Sequence, residues 1–114
     1  MGVMVVLIDK EISEEQLEQS KEEYGEYIKI VVDINKEVLT LGGEWHADGE
    51  KVLLGDGSVQ GDLWGGGVNL ETKEIDFNSL INIRPGVNES MEVVDAQVRS
   101  RMSEIISKKL ERWL

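Results

Sequence analysis

The sequence predicts an α+β fold: a single domain over residues 1–114, with two main helices packed on a mixed, mostly antiparallel sheet built from a β-α-β crossover plus two hairpins. Three observations predict it. Short apolar segments alternate with period two, two other segments carry a helical apolar stripe, and Gly, Asn, Asp and Pro punctuate the gaps between them. A composition of 40% hydrophobic and 31% charged residues in 114 belongs to a folded chain with one modest core.

Residues 3–8 are unbroken apolar and rich in β-branched types, as in a strand buried on both faces. A helix follows over 13–24. Ser13 can cap the amide of Gln16 while Gln16 reaches back, and Ile12 and Leu17 stand at the staple positions. Leu17, Ser20, Lys21 and Tyr24 make the inner stripe, glutamates crowd the outer face, and Gly25 ends the helix. In 27–34, Ile28, Ile30, Val32 and Ile34 share one face. A right-handed crossover then makes the first two strands parallel. Asn35-Lys36 reads as a two-residue turn, pairing Val32 with Leu39 and Ile30 with Leu41.

Gly42-Gly43 breaks the pattern, and residues 44–58 admit two readings. Asp48-Gly49 forms a hairpin turn, or Asp48 caps a short helix through Val52, Leu53 and Leu54 that Gly55 ends. A second hairpin pairs 62–70 with 75–83 across Glu71 to Glu74, with Leu70 opposite Ile75, Val68 opposite Phe77 and Trp64 opposite Ile81. Pro85-Gly86 stops that strand. A final helix starts near Asp95, its stripe formed by Val98, Met102, Ile105, Ile106, Leu110 and Trp113. The helices are expected on one side of the sheet.

Charge narrows the function classes. The net charge is -11, yet residues 96–114 hold five basic and two acidic side chains, leaving -14 on the other 95 residues. Such a body repels phosphate backbones, which argues against nucleic acid as a partner. The basic end either offsets a helix dipole or docks an acidic patch, for instance on a second copy of the chain. No cysteine is present, which removes disulfides, thiolate metal sites and cysteine nucleophiles. The longest apolar run is far short of the ~20 residues that span a bilayer. With no basic leader at the start, the expected location is the cytoplasm, with no membrane partner.

Two constellations could carry chemistry. If 44–48 is extended, Glu44, His46 and Asp48 point to one face, about 7 Å apart at each step. They would hold a divalent metal, or one carboxylate would orient His46 as a general base. The plainer reading is an exposed strand edge with a locally bonded histidine. On another strand Asn78, Asn82 and Arg84 alternate, with Arg84 offering a bidentate fork to a carboxylate or phosphate. Asp62 and Trp64 are candidates to join that ligand site. The plainer reading is that Arg84 pairs with an acidic residue and the asparagines bond loop backbone. The glycines at 55–61 and 65–67 match neither a dinucleotide fingerprint nor a P-loop.

The run Gly42-Gly43-Glu44-Trp45-His46-Ala47-Asp48, with Asp56-Gly57-Ser58, Asp62-Leu63-Trp64-Gly65 and Ser79 through Pro85, resembles a family of short prokaryotic proteins of unknown function (DUF5674). The resemblance covers nearly the whole chain and favours the short-helix reading of 48–54. It implies no activity. The chain departs from the family pattern at Gly65 to Gly67, where a charged or aromatic residue is expected; three glycines there allow a bulge or close backbone approach. The expectation is an acidic binding or interaction module, a homo-oligomer or the binder of another protein. The alternative is a metal-assisted or acid–base enzyme on a small anionic substrate.

Overall fold

The computed structural model describes residues 4–22 and 25–114. The chain folds as α+β, with β1 (Val5–Ile8), α1 (Glu14–Ser20), β2 (Tyr27–Asp33), β3 (Val38–Gly42), α2 (His46–Gly55), β4 (Leu63–Asn69), β5 (Ile75–Asp76) and α3 (Ala96–Lys109) in chain order. The five strands lie in the order β1-β3-β2-β4-β5, and every neighbouring pair is antiparallel. The sheet is therefore not mixed. β1 and β2 do run in the same direction, as a crossover requires, but β3 lies between them.

The local signals act as the sequence indicates at both helix starts. Ser13 Oγ accepts from the Gln16 amide at 3.1 Å, and Gln16 Oε1 accepts from the Ser13 amide at 3.0 Å. Ile12 and Leu17 are buried beside this box. α1 ends at Ser20, short of Gly25, and Glu23 and Tyr24 lie outside the described residues. At α3, Asp95 Oδ1 accepts from the amides of Gln97 and Val98 at 2.8 and 3.2 Å.

The first hairpin has the expected register, Ile30 opposite Leu41 and Val32 opposite Leu39. Its turn is longer than two residues. The Ile34 amide donates to Asp62 O at 3.0 Å instead of pairing across the turn, and Glu37 takes φ +59°. The buried carboxylate of Asp33 holds this turn. Its Oδ1 accepts from the amides of Asn35 and Lys36 at 2.9 and 2.8 Å, and its Oδ2 accepts from Ser58 Oγ at 2.6 Å.

Three expectations need correction. β1 is an edge strand whose side chains are mostly half-buried, because β3 rather than β1 takes the place beside β2. The second hairpin pairs Val68 with Ile75 and Gly67 with Asp76, two residues away from the expected register. Its loop closes earlier, since Asn69 N–H donates to Glu74 O at 3.0 Å and Lys73 N–H to Asn69 O at 2.8 Å. β5 then stops after Asp76. Asn78 bridges to Glu92, and Ser79 Oγ caps a 3-10 turn over Leu80–Asn82.

Helices cover both faces rather than one. Ile28, Ile30, Val32, Leu39 and Leu41 pack with Leu17 of α1 and with Met102, Ile105, Ile106 and Leu110 of α3. The alternate residues Val31 and Leu63 pack with Leu53 of α2. Among the described residues no helix is long and apolar enough to cross a membrane.

Asp33 joins a turn, a strand end and the loop after α2 through charge-assisted bonds. Asp33→Ala should lower unfolding free energy by about 3 kcal/mol, read as a lower urea midpoint at unchanged slope.

Candidate functional site

Gly65, Gly66 and Gly67 leave the middle of β4 without side chains, and neighbouring groups fill the space beside them. A Cβ on Gly66 would collide with the main-chain oxygen of Asp76, and one on Gly67 with the hydroxyl of Tyr27. One on Gly65 would meet the side chain of Ser79, so the close approach that a glycine run permits is used at all three positions.

Polar groups gather beside this stretch of β4. The Tyr27 hydroxyl donates to Asp76 Oδ2 at 2.7 Å. Burial, then the bond to Asp76, raise its pKa well above the usual phenol value. Lys29 is paired with Glu22. His46, at the first turn of α2, places Nε2 2.6 Å from Gly66 O. A carbonyl oxygen only accepts, so Nε2 carries the proton. In the neutral ring Nδ1 is then the acceptor, and it has no partner among the described residues. Burial is the main reason the His46 pKa is lowered; Lys29 adds to that, while the Gly66 bond and the charges of Asp76 and Glu22 oppose it.

Beside this cluster lies a cavity of about 400 Å³ between the start of α2 and the 78–81 segment. Trp45, Ala47, Leu80, Ile81 and Met91 give it an apolar wall, and Lys29, His46, Asn78 and Ser79 border it. The size falls within the range of small-ligand sites.

The residues singled out in the sequence take other places. Residues 44–48 are not an extended strand, because α2 begins at His46 and breaks the alternation. Asp48 Oδ2 accepts from the Trp45 amide at 2.9 Å, half of a capping box, and Glu44 is exposed before the helix. The helix reading of this segment is the observed one, starting two residues before Asp48. Among the described residues no three His, Asp or Glu side chains gather as a metal ion requires.

The side chains of Asn82, Arg84, Asp62 and Trp64 do not border this cleft. Asn82 is buried, and its carboxamide stands where a strand partner of β4 would be. Oδ1 accepts from Gly65 N–H at 2.8 Å, and Nδ2 donates to Gly65 O at 2.9 Å and Met91 O at 3.0 Å. Arg84 donates to Gly61 O at 3.1 Å and to Leu63 O, with its guanidinium 3.9 Å above the centroid of the Trp64 ring. Burial lowers the Arg84 pKa, opposed by the charges of Glu50 and Asp62. Asp62 offers its main-chain oxygen to Ile34. The fork and the amide are therefore engaged with backbone groups. Only His46 and Asn78, of all the sequence candidates, border the cleft.

Sequence reasoning missed Tyr27 and Lys29. Tyr27 reads as a packing residue beside a helix end. Tyr27 and Lys29 do alternate with Ile28 and Ile30, which marks a polar row at the start of β2. The row gains meaning only opposite Gly67 and Asn69, and that β2–β4 pairing spans more than thirty residues.

Two measurements test this geometry. Asn82→Ala leaves a buried N–H and C=O of Gly65 unpaired and should cost about 3 kcal/mol of stability, seen in urea unfolding. Nitrogen-15 spectra of the imidazole should show the Nε2–H tautomer and a titration midpoint below that of a free histidine. Because the folded pKa is depressed, the contribution of His46 to stability is complete above the ordinary imidazole value of about 6.5. It is lost as pH falls through the folded value, so stability should drop on acidification in that window.

No curated protein and no solved structure matches the chain. Residues 6–109 match the model of a family described as protein of unknown function (DUF5674), and the chain belongs to that family.

Proposed function

We propose that the chain is a small cytoplasmic binding and interaction module, prokaryotic in origin, that self-associates through the cleft between the start of α2 and the 78–81 segment. Trp45 carries this reading. Its side chain helps to line the apolar cavity and is nevertheless 64% exposed. Leu80 at 67% and Met91 at 42% exposure stand on the same rim. Large apolar side chains gathered around a concavity mark a contact surface, and tryptophan is a favoured anchor of such surfaces.

A two-fold interface presents the same patch twice, so each copy's Trp45 can enter the other's cleft and cover Leu80 and Met91. Charge favours this patch as the meeting place. Two bodies of net charge -11 repel, but the cationic Lys29 of the cleft is already neutralised by Glu22 and the other lining side chains carry no net charge. Dimer formation is least opposed there. The resemblance to short prokaryotic proteins and the absence of cysteine support the origin and the compartment.

An acid–base enzyme on a small anionic substrate is a second reading. One observation favours it: Nδ1 of His46 is without a partner among the described residues at the edge of the cavity. Asp48, Asn82 and Arg84 are committed to backbone groups and no longer support it.

Sedimentation velocity distinguishes these. The intact chain should sediment as a dimer at micromolar concentration. Trp45→Ala should weaken association by at least about tenfold while leaving the melting temperature unchanged, as expected for an anchor worth ~2 kcal/mol. A monomer at every concentration would sink the self-association reading.

A further inference from the structure

The opposite face of the sheet carries a second concavity. It lies between the Lys10–Ile12 segment that precedes α1 and the last turn of α3, with a volume of about 330 Å³. Lys10, Lys108, Lys109 and Arg112 line it together with Trp113, against two acidic side chains, Glu11 and Glu111. The lining is therefore net positive in a chain of net charge -11.

The four cations divide into two kinds. Lys109 Nζ donates to Asp9 O at 2.7 Å, and Arg112 pairs with Glu14 at 3.3 Å. Those two contacts fasten the end of α3 to the chain around α1 and fix the walls. Lys10 and Lys108 make neither an ion pair nor a hydrogen bond among the described residues. Lys51 is the only other lysine of which that is true; Lys21, Lys29, Lys36, Lys73 and Lys109 all have acceptors. With 23 acidic against 12 basic residues, internal partners are plentiful. Two of three unpaired lysines nevertheless border one cavity.

We infer that this cleft binds a small anion through a phosphate or carboxylate group, held by Lys10 and Lys108 beside the Trp113 ring. The remainder of the surface sets the size of the ligand. Its acidity repels an extended polyanion, whereas a metabolite-sized anion fits within a Debye length, about 8 Å, of the cations. The C-terminal dipole of α3 opposes an anion here, and the lysines of its last turn, Lys108 and Lys109, offset it.

The test is an amide-resolved NMR titration of the full chain at constant ionic strength, first with inorganic phosphate and then with citrate, with Trp113 fluorescence recorded in parallel. The inference expects saturable shifts confined to residues 10–12 and 108–113. Saturation by phosphate alone assigns a phosphate group; saturation by citrate alone assigns a carboxylate; both support the site. The double variant Lys10→Gln/Lys108→Gln should bind about tenfold or more weakly, with melting unchanged, while Lys51→Gln binds as the parent does. Linear shifts with no plateau, or equal weakening by Lys51→Gln, would overturn the inference, because the lysines would then be an ordinary solvated surface.

Discussion

The open edge of β4 is the constraint on which this side of the molecule depends. β2 satisfies one edge of β4 along its full length, but β5 reaches only Gly67 and Val68 on the other. The buried backbone groups left over must find partners, since each unpaired one costs of order 1–3 kcal/mol. Side chains supply them. Asn82 pairs with both backbone groups of Gly65, and Arg84 with the carbonyls of Gly61 and Leu63. Asn88 then ties the loop that carries Asn82, donating to Asn82 O at 3.0 Å and to Ser90 and Glu92 oxygens at 2.9 Å. A short chain segment rich in asparagine thereby does the work of a fifth full-length strand.

That substitution shapes the cleft. A regular strand over 77–83 would run flat beside β4 and leave no concavity. The 3-10 turn instead lifts Leu80 outward and keeps Ile81 against Leu63 and Leu53 in the smaller core. The bare glycines then admit Tyr27 and the Gly66–His46 bond from above. The larger core, on the α1 and α3 face, is built from ordinary aliphatic packing and asks for no such devices.

What was legible in the sequence divides along the same line. The capping box at Ser13, the start of α3 at Asp95 and the Ile30–Leu41 register depend on neighbours within about a dozen residues, where local chemistry decides. The Asn82–Gly65 pairing depends on which strands meet, and periodicity is silent about that. A polar row at Asn78, Asn82 and Arg84 looks like a ligand-binding face for the same reason that it serves as an edge substitute: both uses need side chains that make directed bonds. The alternation of Glu44, His46 and Asp48 misleads because five residues fit period two and the first turn of a helix equally well. Trp45 is the side chain whose exposure gives the cleft its character.

The strand order also bears on how the molecule assembles. β2 gains β3 across a loop of four residues, but it meets β4 only after a further twenty residues and α2 have been placed. Closing the longer loop costs more chain entropy, and it is recovered only when β4, Asn82 and α2 dock together. The β2–β3 hairpin is thus the part of the sheet that closes at the least cost in chain entropy. β4, Asn82 and α2 join that hairpin as one later unit. Whatever fills the cleft touches the start of α2 and the 78–91 segment, so its occupancy is a lever on how those pieces dock rather than on the hairpin.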